Sequence, residues 1–158
     1  MYEHLLVALD GSQAAERVLE HAEALASAFH SKITLLRATL SAEMLLAETA
    51  ASDATMVDVA PALDIDPVLD ADHSDAVDYL EGVARRLRQL GTDVAIEEPQ
   101  GPADRVIVDR AAELGVGLIL MTTHGRSGLE RVVFGSTADS VIRHAPCPVL
   151  LVHVRSGS

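Results

Sequence analysis

"VGLILMTTHGRSGLERVVFGST", residues 116–137, decides how this chain folds. Its opening, Val116 to Met121, is a short apolar run with no alternating polar face. Such a run reads as a strand buried on both sides. Glycines then fall at 125, 128 and 135, with arginines at 126 and 131. From Ser136 to about Ala145 the residues read as a helix, ended by Pro146. A strand that passes through a loop into a helix is one arm of a β-α-β unit, and such units build parallel sheets.

The same alternation extends in both directions. "HLLVAL" (His4 to Leu9) reads as a buried strand. After "DGS", apolar residues from Ala15 to Phe29 recur at helical spacing, with Ser12 as N-cap. "KITLLRAT" predicts a second strand from Lys32 to about Thr39. Residues 41–75 read as an acidic insertion, with a short helix in "AEMLLAETAA" and a loop in "APALDIDPVLDADHSD". The helical period returns from Ala76 to Leu90 and stops at Gly91. "DVAIEE" predicts the third strand. A helix follows, with Pro102 near its start and Gly115 after its end. "PVLLVHV" (Pro148 to Val154) predicts the fifth strand. The expected fold is a doubly wound, five-stranded parallel α/β sheet with helices on both faces, Rossmann-like, with strand order 3-2-1-4-5. It forms a single domain over residues 1–158. Strands 1 and 4 are then neighbours where the winding reverses, and ligands bind at the carboxyl ends of strands flanking that point. Here those ends are Asp10-Gly11-Ser12 and Thr122 to Gly135.

Composition narrows the function. The 158 residues are 49% hydrophobic and 23% charged, with a net charge of −12. All basic residues except Lys32 are arginines, and Glu43 to Glu81 carries acids without one lysine or arginine. This balance argues against nucleic-acid or anionic-membrane partners. No apolar run reaches the ~18 residues of a membrane span, and no secretory signal opens the sequence. A lone cysteine, Cys147, makes no internal disulfide, and the expected location is the cytoplasm. Against the acidic background, Arg126, Arg131 and His124 make residues 121–137 a candidate anion site; the alternative is a pair of surface arginines.

The standard phosphate motifs are missing: there is no G-x-x-x-x-G-K-[ST] and no G-x-G-x-x-G after the first strand. The glycine loop provides another route. Gly125 and Gly128 allow backbone N–H groups to converge and a phosphate to approach closely. Gly135-Ser136 opens a helix whose free amides and dipole favour an anion, with the Ser136 and Thr137 hydroxyls beside them. Ser136-x-x-Asp139 also fits a capping box, so a plain N-cap role for Ser136 stands beside the ligand role. Asp10 would receive ribose hydroxyls or help hold a divalent cation, or it is simply a turn aspartate. The histidines lack metal-ligand spacing, "DIDPVLDADHSD" lacks the glycine and closing glutamate of a calcium loop, and no nucleophile elbow is present.

"VALDGS", "MTTHGRSGLERVVFGST" and "HAPCPVLLV" together resemble blocks of the universal stress protein family, and the resemblance spans essentially the whole chain. Nucleotide-binding members share a pattern of Gly, two residues, Gly, nine residues, then Gly and Ser or Thr. Here the later positions are Gly125, Gly135 and Ser136, while the first glycine is replaced by Thr122. The resemblance implies an adenine nucleotide such as ATP, with Mg as a companion ion near Asp10. The base would lie against Ala38 and Thr39, with Asp10 and Gly11 at the ribose. Gly125, Arg126, Gly128, Gly135, Ser136 and Thr137 would surround the phosphates, with Thr122 in the site where its side chain crowds the ribose, restricts the backbone or adds a hydroxyl. It also implies a homodimer through Pro148 to Val154 and a regulatory role in stress. Two alternatives stand beside this expectation: a nucleotide-independent dimeric interaction module, which Thr122 favours, and a weak ATP hydrolase, for which the sequence names no base.

Overall fold

A computed structural model describes residues 1–52, 64–124 and 135–154 of the chain. Five parallel strands form one sheet in the order β3-β2-β1-β4-β5. They are β1 (His4–Ala8), β2 (Lys32–Leu36), β3 (Val94–Glu97), β4 (Leu118–His124) and β5 (Val149–Val154). The helices are α1 (Leu19–Phe29), α2 (Ala42–Ser52), α3 (Asp66–Gln89), α4 (Ala103–Leu114) and α5 (Ser136–His144). This is the doubly wound arrangement that the alternating pattern predicts.

The two-residue period of the strands sorts the core into two layers. Leu5, Val7, Ile33, Leu35, Leu118 and Leu120 point to one face, where α1 contributes Ala22 and Ala26 and α3 contributes Leu80, Val83 and Leu87. Leu6, Ala8, Leu36, Ile119 and Met121 point to the other, against Ile107 and Ala111 of α4 and Ala138 and Val141 of α5. All five residues of β1 are buried, as a central strand covered on both faces requires. Each fully buried leucine contributes about 1.5–3 kcal/mol relative to an exposed one.

Several boundaries differ from the sequence expectation, among them the end of β2, at Leu36 rather than about Thr39. α3 begins at Asp66, not at Ala76, so much of the segment expected as loop is helix. Pro67 occupies its first turn, where a fixed φ suits the helix and the missing N–H costs nothing. The turns before Ala76 contribute no buried apolar side chain, so no hydrophobic period marks them. β4 starts two residues later than expected and ends three residues later. Val116 and Gly117 belong to the return from α4: Gly115 adopts a left-handed conformation at its C-cap, and the Gly117 amide donates to the His4 carbonyl at 2.8 Å. At the far end Thr122, Thr123 and His124 stay extended because β5 pairs with them, Thr122 opposite Val152 and His124 opposite Val154. The first helix is preceded by a 3-10 turn, Ala15–Val18, whose first amide donates to Ser12 Oγ at 3.1 Å.

Candidate functional site: a cleft at the switch point

β1 and β4 are neighbours, and the chain leaves them toward opposite faces of the sheet. A cleft of about 260 Å³ opens at their carboxyl ends. Asp10 stands on one side, and Gly135, Ser136 and Thr137 on another. Thr122 forms part of the wall, and the cleft stays open beside it. Ala103 and Ile107 of α4 add an apolar wall that the sequence reading did not include. Gly125, Arg126 and Gly128 lie outside the described residues.

The β1 end is shaped by Asp10 and Gly11. The Ser12 amide donates to Asp10 Oδ1 at 2.9 Å, an Asx turn that aims the carboxylate. A carboxylate with one such bond retains capacity for further donors. Gly11 has φ +84°, a conformation that side-chain-bearing residues rarely adopt.

The α5 end works differently from a capping box. Gly135 is the N-cap, in an extended conformation, and among the described residues no side chain caps the helix. Ser136 is the first helical residue. The Asp139 carboxylate pairs with Arg143 at 2.9 Å instead of reaching back to the helix start. The first-turn amides have no partner inside the helix, and the positive end of its dipole faces the cleft. A Cβ built on Gly135 meets no atom within 4 Å among the described residues, and its φ of −61° needs no glycine.

Ala38 and Thr39 sit past the end of β2 and do not line the cleft. Thr39 is buried and faces away: its amide donates to the Pro99 carbonyl at 3.0 Å, and its own carbonyl accepts from Gly101 at 2.9 Å. Main-chain groups of successive strand residues point to opposite sides. Arg37 and Thr39 both donate toward the β3 side, to Glu97 and Pro99, while Leu36 accepts from Leu9 on the β1 side. The parity directs the N–H and C=O of Ala38 toward β1, at the level of Asp10. That main-chain pair needs no side chain, so the sequence carried no signal for its direction.

The cleft is held from behind. Ser140 of α5 donates to Asp104 Oδ2 of α4 at 2.7 Å, and this bond is the first cause holding the Asp104 carboxyl below the usual range. Among the described residues no cluster of three or more His, Cys, Asp or Glu is placed to hold a metal. No described helix is long and apolar enough to cross a membrane. The Cys147 thiol is pushed up by burial, which makes it a poor nucleophile.

Fold and cleft together define a doubly wound α/β protein with a ligand site at its topological switch point. The chain belongs to the universal stress protein family, whose model matches residues 1–153. Among its relatives is universal stress protein MJ0531 of Methanocaldococcus jannaschii, 25% identical, with the match covering 96% of this chain and 82% of that one. Among solved structures, hypothetical protein MJ0577 superposes with a TM-score of 0.77 at 24% identity, over 99% of both chains. A universal stress protein solved in complex with cAMP superposes with a TM-score of 0.64 at 20% identity, over 98% of both.

Proposed function

We propose that this protein binds an adenine nucleotide, ATP above all, in the switch-point cleft, and acts as a cytoplasmic, dimeric regulator in the response to stress. The observation that carries this reading is the meeting of two recognition elements at one opening. The α5 N-terminus with Ser136 and Thr137 suits phosphates, and Asp10 suits ribose hydroxyls. The Ala38 main chain, one donor and one acceptor at the level of Asp10, matches the edge of an adenine. Gly125, Arg126 and Gly128 would complete the phosphate end. The donor set fits a magnesium nucleotide: Asp10 is the cleft carboxylate, and a phosphate-bound Mg needs only one or two protein ligands. The cAMP complex of a related fold supports a nucleotide as the ligand class.

The edges of the sheet support pairing through β5. On the opposite edge, Arg88 donates to the Val94 carbonyl at 2.8 and 3.1 Å, covering a group that would otherwise invite a strand. β5 is apolar over Val149–Val152 and is the other outer strand, suited to a two-fold contact with a second copy.

Calorimetric titration with ATP and Mg, together with mass spectrometry of nucleotide retained on purification, tests the binding. Heat and a retained adenine nucleotide are expected. No heat at millimolar ATP would favour the second reading, a nucleotide-independent interaction module, which threonine in place of the family's first glycine at position 122 favours. Steady phosphate release lost in Asp10→Ala would add weak hydrolysis to the binding role.

A further inference from the structure

Arg37 lies one residue beyond β2, on the sheet face that carries α1 and α3, and behind the Asp10 turn. Its side chain is only 20% exposed, although it carries a full charge. Three contacts surround it. A Cβ on Gly11 would stand 3.2 Å from Arg37 Nη1, so the guanidinium lies directly against the Gly11 backbone. The guanidinium carbon stands 5.8 Å from the centre of the Tyr79 ring of α3. Arg37 Nη2 is 3.7 Å from Asp72 Oδ1, and the other oxygen of that carboxylate accepts the Leu40 amide at 2.7 Å.

These contacts chain together. The Asp10–Ser12 turn rests on Arg37, Arg37 rests on Tyr79 and Asp72 of α3, and Asp72 also ties down the chain leaving β2. Burial, followed by the negative charge of Glu16 and Asp10, pushes the Tyr79 hydroxyl up to about 12. Its ring is therefore a neutral platform at physiological pH. A partly buried cation over an aromatic face is attracted by the negative face of the ring. Asp72 lies in the α3 turns that precede Ala76, in the acidic region between β2 and the buried part of α3.

We propose that Arg37 is a positioning residue of the ligand cleft: it braces the Asp10–Ser12 turn against α3, so that the first turns of α3 and the cleft wall form one mechanical unit. The role in ligand binding rests on the nucleotide reading above, while the bracing itself does not. Gly11 suits this contact twice over, through its positive φ and through the space that the guanidinium fills. The chemistry asks for arginine: a planar, delocalised cation can stack on a ring, lie on a backbone and face a carboxylate at once, and a lysine ammonium cannot. A ligand that engages Asp10 then stiffens α3, and a partner that grips the start of α3 changes affinity at the cleft by the reciprocal amount.

Hydrogen exchange on the full chain, with and without Mg-ATP, tests this. In Arg37→Ala without ligand, the Ser12 amide should exchange roughly tenfold faster, while amides inside β1 and β4 keep their protection. Asp72→Ala should speed exchange at Leu40 and, through the released guanidinium, at Ser12. Arg37→Lys retains charge and should behave nearly as Arg37→Ala; it also stands in if the alanine variant folds poorly. Unchanged Ser12 exchange in both Arg37 variants overturns the bracing whatever the protein binds. Mg-ATP affinity should fall roughly tenfold in Arg37→Ala, and adding Asp10→Ala should cost less than the two single losses combined. Additive losses overturn the coupling. Faster Ser12 exchange in a protein whose wild type gives no heat with Mg-ATP would retain the brace and remove the nucleotide reading.

Discussion

Ser140 and Asp104 join α5 to α4 across the back of the cleft through one hydrogen bond of 2.7 Å. The two helices supply opposite parts of the same opening, Ala103 and Ile107 from one and Ser136 to Ala138 from the other. Ser140→Ala should therefore loosen the cleft and lower stability by about 1 kcal/mol or less, since the pair is partly solvated. The Asp104 carboxyl is held below its ordinary value in the folded state, first by this bond. Its contribution is thus present above the unfolded pKa near 3.8 and is lost as pH falls through the lower folded value. Urea titrations should show a smaller wild-type advantage over Ser140→Ala at pH 3 than at pH 7; an equal gap at both would refute the linkage.

His4 gives a second pH dependence. It is buried in β1, with Nε2 against Thr34 Oγ1 at 2.8 Å. Burial, then the Lys32 charge, lowers its pKa from 6.5. The folded state prefers neutral imidazole. Its contribution is complete above pH 6.5 and is lost as acid carries the solution down through the lowered value. Thermal unfolding from pH 7.5 to pH 5 should show a steeper loss in wild type than in His4→Gln. Parallel curves would contradict this assignment.

Gly135 separates folding from binding. Its backbone needs no glycine, and a Cβ there meets open space among the described residues. Gly135→Val should remain folded, with a modest stability loss of about 1 kcal/mol because valine is a poorer N-cap residue than glycine. Its affinity for Mg-ATP should fall at least about tenfold, because the new side chain occupies space that the ligand needs. Calorimetry on the folded variant decides the matter, and full affinity would place the phosphates elsewhere.

The free edge of β5 predicts a dimer-breaking substitution. Ile119 donates to the Pro148 carbonyl, so main-chain groups at even positions of β5 face β4 and those of His153 face outward. His153 is also exposed. His153→Pro removes an outward donor without deleting a ladder bond inside the protomer. Light scattering after size exclusion should show a folded monomer where wild type runs as a dimer. A variant that remains dimeric would move the interface away from this edge.

The layers of the sheet were legible because strand and helix periods are local. The apolar runs of β1 and β4 and the spacing of Leu80, Val83 and Leu87 were enough to place them. The start of α3 was not legible. Its first turns bury no apolar residue, and Pro67 with several aspartates reads as a breaker unless it is known to open a helix. The end of β4 was missed for a related reason: Thr122 and His124 are strand because β5 lies alongside them. In the site, Asp10, Gly135, Ser136 and Thr137 were named from position and chemistry and Thr122 from the family resemblance, and all five line one cleft. Arg37, Ala103 and Ile107 escaped notice, since an arginine after a strand and small or apolar residues on a helix carry no motif.

By itself the sequence determined the alternation of elements and which faces are buried. These follow from periodicity and from glycine and proline chemistry, which act over a few residues. Only the tertiary structure decided that Arg37 rests on Gly11, that Ala38 turns its main chain toward β1, and that Asp104 meets Ser140. Each joins residues from separate elements, and the relevant directions exist only once parallel pairing has set the register between strands.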